Sequence, residues 1–218
     1  ETFSYNHSSQ LNYSKTIKGG HKINALGGFE IYSNNWESFR NRIANFADQS
    51  TGVNDLSKGS SLLEYSSNKW RNNRLSYLSR LNYSFKDRYL FTASIRADGS
   101  DKFGPGNRWG YFPSLAFAWR VSKERFMERL PFVSDLKLRT SYGRTGNEGI
   151  PAYTYFGSLQ NTYYASNNSI LFGMSPGSLP NPNLQWETTS QYNAGIDLGL
   201  FGNRLNLTVD YYLKQTRD

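Results

Sequence analysis

The sequence predicts an all-β fold: an antiparallel up-and-down transmembrane β-barrel, of which about eight long strands lie in this chain. Apolar and polar residues alternate with a period of two, over stretches longer than the five or six residues usual in globular strands. Short and long connections also alternate, as in outer-membrane barrels. A mean hydropathy of −0.67 fits this class, because only every second residue of a barrel strand faces lipid.

The first strand shows the period most clearly. Every even position from Thr2 to Thr16 is polar, whereas Phe3, Leu11 and Tyr13 occupy odd positions. Seven further stretches alternate in the same way, at about 22–33, 71–85, 89–98, 110–121, 135–145, 185–200 and from 204 to beyond 213. Each strand therefore has one apolar and one polar face.

The connections between the strands differ in length in a regular order. The short ones, interpreted as periplasmic turns, cover 18–21, 86–88, 122–134 and 201–203, whereas the long ones, interpreted as extracellular loops, cover 34–69, 99–109 and 146–184. The stretch 122–131 is predicted to form one or two helical turns that end at Pro131. A further helix is predicted over 36–48, where apolar residues recur at helical spacing.

A soluble β-sandwich is the alternative fold. Its strands would be shorter, its turns would come every 8–12 residues, and its connections would not alternate in length. In a barrel with periplasmic short turns, both ends of this chain lie at the extracellular rim. Two sheet edges would then be unpaired in lipid. We therefore expect the chain to be part of a larger barrel.

The composition excludes several classes of protein. The 218 residues include no cysteine, which rules out a disulfide scaffold, a zinc ribbon and thiol catalysis. An aromatic content of 16% argues against disorder. No apolar run is long enough for a transmembrane helix, and the chain does not open like a signal peptide.

The polar strand faces carry charges of both signs and are predicted to line a water-filled lumen. The charged residues expected to face the lumen are Arg74, Arg80, Arg96, Asp98, Arg139, Glu187, Asp197 and Asp210. A lumen of mixed charge accounts for the net charge of +8 without nucleic acid. The sequence has no clustered basic helix or aromatic RNA-binding platform, so nucleic acid is not a predicted partner.

The long connections are rich in aromatic residues that could contact a substrate or a partner. These candidates are Trp36, Phe39, Trp70, Trp109, Tyr153, Tyr155, Tyr163 and Tyr164. Sugar rings stack on such faces, and protein interfaces also favour Tyr and Trp. Packing within the loops is the alternative role. Trp186 and Tyr192 have the lipid-facing parity and are predicted to belong to an aromatic girdle.

Catalysis and metal binding are not indicated. His7 and His21 lie on separate elements, and no nucleophile, base and orienting acid converge in the sequence. Asp98 and Asp101 supply only two carboxylates for Ca²⁺, with Lys102 beside them. We expect neither an enzyme nor a cofactor.

Three groups of motifs are more specific than the strand period. The first comprises residues 97–104, 107–114 and 118–120; the second comprises 136–143 and 146–147; the third comprises 181–187, 193–197 and 210–216. In this order and spacing they resemble the SusC/RagA family of TonB-linked outer-membrane receptors of Bacteroidetes-type bacteria. The resemblance covers about residues 70–218.

The resemblance implies a barrel of about 22 strands with a plugged lumen. It also implies a cell outer-membrane location, energy from the TonB system, a SusD-like lipoprotein as lid, and import of oligosaccharides or peptides. The 218 residues are expected to hold neither the plug domain nor the TonB-contacting segment. A secreted β-sandwich that binds glycans and a passive porin or adhesin barrel are the alternative functions.

Overall fold

The computed structural model describes residues 1–48, 50 and 54–217. Their strands are β1 Thr2–Ile17, β2 His21–Phe46, β3 Gly59–Phe85, β4 Tyr89–Ser100, β5 Trp109–Arg120, β6 Val133–Asn147, β7 Ser158–Ser166, β8 Ser169–Ser178, β9 Glu187–Leu200 and β10 Leu205–Arg217. Short 3-10 turns occur at Leu56–Lys58, Val121–Lys123, Arg125–Arg129 and Thr154–Phe156. No helix among these residues is long and apolar enough to cross a membrane.

Eight of these strands form one antiparallel sheet in the order β1-β2-β3-β4-β5-β6-β9-β10. Every strand in the sheet pairs with the next long strand in the chain, so the up-and-down order predicted from the sequence is confirmed. β7 and β8 form a separate two-stranded hairpin. The β-sandwich alternative is wrong, because the eight strands form one sheet instead of two facing layers.

The segment 34–69 is largely a continuation of β2 and β3. Trp36 stacks on Trp70 with ring centroids 6.1 Å apart, and Arg40 lies 3.6 Å from Glu64 on the neighbouring strand. The helix predicted over 36–48 is therefore wrong, since β2 continues to Phe46. Its apolar spacing fits a helix, but pairing with β3 outweighs this local preference. Residues 49 and 51–53 of the same segment lie outside the described part.

The short connections cover 18–20, 86–88, 121–132 and 201–204, within two residues of the predicted turns. Lys86 and Asp87 both have positive φ, 51° and 53°, as a two-residue hairpin turn requires. The helical turns predicted within 122–131 are confirmed as 3-10 turns. The longer connection 146–184 contains the β7–β8 hairpin, which turns at Asn167 and Asn168.

Glu124 fixes the turn between β5 and β6. Its carboxylate accepts hydrogen bonds from the Tyr89 hydroxyl at 2.8 Å, Trp119 Nε1 at 3.2 Å and Arg88 Nη1 at 3.0 Å. These donors, the Tyr89 hydroxyl above all, hold the pKa of Glu124 below its ordinary value. The carboxylate thus ties the turn to two strands.

Acidification is expected to loosen this turn. Because the pKa of folded Glu124 lies below its ordinary value of 4.5, the stabilisation is complete above that pH and is lost as the pH falls through the folded-state pKa. Hydrogen exchange of residues 121–130, corrected for the intrinsic rate, should therefore accelerate on acidification. Glu124→Gln keeps an acceptor without the titrating charge and should flatten this dependence. An unchanged pH profile in the variant would contradict the assignment.

The outer face of the sheet carries a continuous apolar band. It includes the exposed side chains of Leu81, Ile95, Leu115 and Phe117. At its lower end, Phe85, Tyr89 and Trp119 form a stacked aromatic row, and at its upper end Trp109 stacks on Tyr77. Residues 77 and 85 are separated by about 27 Å along β3. With a strand tilt of about 35–45°, this span projects to about 19–22 Å along the membrane normal, close to the apolar band of about 25 Å in outer-membrane barrels.

Candidate functional site

The opposite, polar face of the sheet holds all eight charged residues predicted to line the lumen. The strand register places Arg74, Arg80, Arg96 and Asp98 on this face of β3 and β4. Arg139 of β6 and Asp210 of β10 also lie on this face, because both are cross-strand partners of Gly195 on the intervening strand β9. Glu187 and Asp197 lie on the same face of β9. The eight predicted residues therefore occupy one face of the sheet. Most of them belong to two groups, one centred on Arg96 and the other on Asp197.

The upper group is centred on Arg96. Its Nε contacts both Asp98 carboxylate oxygens, at 2.8 and 2.9 Å, and its Nη2 donates to Ser76 Oγ at 2.9 Å and Glu30 at 3.3 Å. Asp98 is only 6% exposed. A buried carboxylate requires such a charged partner, so the geometry of this group is fixed.

Arg74 extends the upper group towards the long connections. Its Nη1 donates to Glu148 at 3.1 Å, and its guanidinium lies 5.4 Å from the centre of the Tyr32 ring. Glu148 belongs to the connection that follows β6, so this pair joins the sheet to a loop. Arg80 is exposed on the same face, farther along β3.

The lower group is centred on Asp197. Arg139 binds it through two hydrogen bonds of 2.9 and 2.8 Å, Lys137 lies 3.0 Å away, and Asp210 lies 3.0 Å from Arg139. A Cβ at Gly195 would overlap Asp210 Oδ1 and Arg139 Nη2, so a larger residue here would displace these charged ends from the network. Glu187, nearer the upper end, accepts a hydrogen bond from Asn147 at 2.8 Å.

These ion pairs give the polar face charges of both signs in fixed positions. The described residues contain no group of three His, Cys, Asp or Glu side chains that could hold a metal ion. Asp98 pairs with Arg96, whereas Asp101 accepts from Asn73. The surface is suited to contact with water, a polar ligand or another polar protein segment.

Above the polar face lies a small apolar core, here called the rim cluster, formed by Phe103, Phe112 and Trp186. The Trp186 ring centre lies 5.0 Å from that of Phe103 and 5.4 Å from that of Phe112. Phe103 is fully buried. Ile150 and Leu184 pack against the cluster from the third long connection. Rings from separated segments thus meet at one end of the sheet.

The girdle position predicted for Trp186 is wrong. Trp186 precedes β9, is 8% exposed, and donates from Nε1 to the Arg108 carbonyl at 3.0 Å. A buried indole needs a partner for its N–H, and the loop backbone supplies it. Tyr192, by contrast, lies on the outer face and packs on Tyr142 at 4.9 Å.

Glycines make room for the rim cluster. A Cβ at Gly110 or Gly146 would overlap the Phe112 ring. Both glycines belong to the sequence motifs that carry the family resemblance, as do Phe103 and Trp186. The sequence showed the motifs but not their common purpose, because their spacing does not reveal that they pack together.

Polar contacts tie the same loops together. Lys102 Nζ donates to the Glu148 carbonyl at 3.1 Å, and Asn107 donates to the Pro182 carbonyl at 3.2 Å. Asp101 accepts from the backbone and side chain of Asn73 at 2.9 and 2.7 Å. The connections 99–109 and 146–184 are therefore tied to each other and to β3 at the upper end of the polar face.

The aromatic candidates do not share one surface. Trp36 and Trp70 stack on each other on the β2–β3 hairpin, whereas Phe39 is 80% exposed farther along the same hairpin. Trp109 stacks on Tyr77 at the upper end of the outer face, 6.0 Å away. Trp109 therefore lies on the lipid side of the sheet and away from the polar face.

The four candidate tyrosines lie in the third long connection. The Tyr153 hydroxyl accepts from the Arg71 N–H at 3.3 Å, so it braces β3. Tyr155 is half-buried beside Phe156. Tyr163 stands edge-on to Phe172 across the β7–β8 hairpin, and Tyr164 lies on the other face of that hairpin. Tyr153, Tyr163 and Tyr164 are all exposed, and Tyr163 and Tyr164 are the two most exposed of the four.

A single antiparallel sheet with an outer apolar band, aromatic rows at both ends and a charged opposite face is the wall of a transmembrane β-barrel. The chain belongs to the TonB dependent receptor-like, beta-barrel family, whose model matches residues 1–218. The family consists of receptors and transporters, not enzymes.

Two curated relatives illustrate the similarity. The chain is 33% identical over 218 residues to TonB-dependent receptor P26 of Formosa agariphila, covering all of this chain and 22% of that protein. It is 41% identical over 153 residues to TonB-dependent receptor SusC of Bacteroides thetaiotaomicron, covering 68% of this chain and 15% of SusC. The matched part of the chain thus spans less than a quarter of the length of either relative.

Solved structures agree with the fold. A structure of the RagAB peptide transporter superimposes with a TM-score of 0.85 and 29% sequence identity, covering 99% of this chain and 24% of the matched chain. The open-open state of the RagAB peptide importer also gives a TM-score of 0.85, at 30% identity. The eight-stranded sheet therefore corresponds to about a quarter of such a chain.

Proposed function

We propose that the chain forms part of the barrel wall of an outer-membrane, TonB-dependent importer of oligosaccharides or peptides. The observation that carries this proposal is the two-faced sheet: a lipid-compatible band on one side and a neutralised, hydrogen-bonded charge network on the other. Membership of the TonB-dependent receptor family supports it.

In this arrangement the polar face lines the lumen, and the long connections lie on the extracellular side. The ion pairs of Arg96 and Arg139 hold their charges in fixed positions. A wall of this kind can contact a plug domain through polar groups without a large apolar interface. Such contacts exchange readily with water, which suits a plug that must move during transport.

We assign a SusD-like surface lipoprotein to the extracellular end as a lid, and the TonB system to the periplasmic end through parts of the receptor outside these 218 residues. Similarity to SusC and to the RagAB structures supports both partners. The β7–β8 hairpin offers a surface for the lid, because its exposed apolar side chains Leu159, Ile170, Phe172 and Met174 share one face.

We base the proposed substrate class on the relatives and on the exposed aromatic residues of the β2–β3 and β7–β8 hairpins. RagAB transports peptides, and exposed rings such as those of Tyr163 and Tyr164 bind either sugars or peptide side chains. Neither hairpin carries a cluster of one charge, so we expect a neutral or mixed-charge oligomer as the substrate.

Uptake by the intact receptor should require TonB. In a strain with the receptor as its only importer of this kind, we expect growth on oligopeptides or oligosaccharides too large for porins, and loss of that growth when TonB is deleted. The control is a monomeric nutrient that crosses passive porins, on which both strains should grow equally. Growth on the oligomers without TonB would identify a passive pore instead, and growth on neither oligomer would contradict the substrate class.

A further inference from the structure

The pairing between β5 and β6 stops part-way along the strands. It ends at Ser114 and Gly143, beyond which residues 109–113 pair with β4 and residues 144–147 pair with β9. Pro113 stands where this ladder ends and has no N–H to donate. The two strands therefore diverge towards the long connections and leave a seam in the wall.

A hollow of about 390 Å³ opens at this seam on the outer face. Arg144 lies on the same face of β6 as Tyr142 of the apolar band, and Thr188 lies on the same face of β9 as Tyr192. Arg217 is the cross-strand partner of Thr188 on β10. The two arginines thus approach one hollow from two strands, on the lipid side of the sheet.

The hollow has the chemistry of an anion site. Arg144 Nη2 donates to Thr188 Oγ1 at 3.1 Å, and the side chains of Asn107 and Gln185 add amide groups. Among the described residues that line it, none is Asp or Glu. Two guanidinium groups line this hollow, and the planar set of N–H donors on each matches the oxygens of a phosphate group.

The hollow also lies at the depth of lipid headgroups. Trp109 and Tyr111 line it and belong to the upper end of the apolar band, where Trp109 stacks on Tyr77. Aromatic side chains of this kind mark the membrane–water interface. Basic pockets at that level bind the phosphorylated headgroups of lipids.

We propose that this seam binds a phosphate group of a membrane lipid headgroup through Arg144 and Arg217. The acyl chains would run along the apolar band below, past Leu115 and Phe117. With the long connections outside the cell, the ligand is a phosphorylated glycolipid of the outer leaflet. The choice of leaflet rests on the proposed function, whereas the anion site itself does not. Free inorganic phosphate shares the headgroup chemistry but lacks the chains.

Native mass spectrometry of the intact receptor in detergent tests the site, with bisphosphorylated lipid A as the probe. Replacing both arginines, Arg144→Gln with Arg217→Gln, should weaken binding about tenfold or more, because charge-assisted contacts to phosphate are lost. The matched control replaces Arg125 and Arg204, two exposed arginines of the opposite turns, with glutamine. That control removes the same charge and should bind lipid A normally.

Three results would overturn the proposal: equal binding by the double variant, equal binding of lipid A stripped of its phosphates, or full displacement by an equal concentration of inorganic phosphate. The last result would identify a free-anion site. Uptake by the double variant is measured in parallel and should persist. The lipid-binding measurement does not depend on transport. Failure of the receptor to import the expected oligomers would therefore contradict the proposed function without affecting the lipid-binding result.

Discussion

Replacing Phe103 with alanine is expected to loosen the long connections around residues 99–109 and 181–186 together. Phe103 is fully buried against Trp186, and truncation of a buried phenylalanine costs about 3–5 kcal/mol. Because the cluster lies at the end of the sheet, the loss should appear as local opening. Hydrogen exchange in both segments should accelerate by about a hundredfold or more, while the strands keep their protection.

The matched control is Phe39→Ala on the β2–β3 hairpin. Phe39 is 80% exposed, so the same truncation removes little buried surface and should leave exchange near the wild-type rate. A Phe103→Ala variant whose two segments exchange as slowly as in the wild type would show that the rim cluster does not hold the loops. Opening of one segment alone would show that the loops are held separately.

An arginine at position 93 is expected to impair insertion into lipid, whereas an arginine at position 116 is not. Ala93 lies on the outer face between Leu81 and Leu115, near the middle of the apolar band. A lipid-facing arginine at the bilayer midplane costs about 2–4 kcal/mol. Ala116 lies on the polar face beside Ser141, where the new charge stays hydrated.

The two substitutions are matched, because each replaces alanine by arginine and the two positions belong to successive cross-strand pairs of β4 and β5. Urea titration of the intact receptor in lipid vesicles gives the free energy of unfolding, and the unheated migration shift in gel electrophoresis gives the folded fraction. Equal losses for Ala93→Arg and Ala116→Arg would contradict the assignment of the two faces.

The period of two determined most of the fold. Alternation in stretches such as 2–16 and 71–85 predicted the strands and their faces, because a strand exposes every second residue to the same environment. The alternating lengths of the connections predicted the up-and-down order. The same parity assigns Arg96, Arg139 and Asp197 to one face, although it does not show which charged residues form ion pairs. The local pattern was therefore sufficient to assign a residue to a face wherever that residue lies within a strand of the sheet.

Local pattern failed where distant segments compete with it. Apolar residues at helical spacing in 36–48 predict a helix, but residues 36–46 pair with residues 59–70 of β3, and cross-strand contacts such as Trp36 on Trp70 prevail. The parity of Trp186 predicted a lipid contact, although this residue precedes its strand and buries its ring against Phe103.

The sequence by itself determined a wall of β-strands with one apolar and one charged face, because the alternation of apolar and polar residues along a strand shows which environment each face meets. Only the tertiary structure decided which charges pair, how the motif residues assemble into the rim cluster, and where β5 parts from β6. Those features depend on contacts between segments that are far apart in the chain, and no local period encodes such distances.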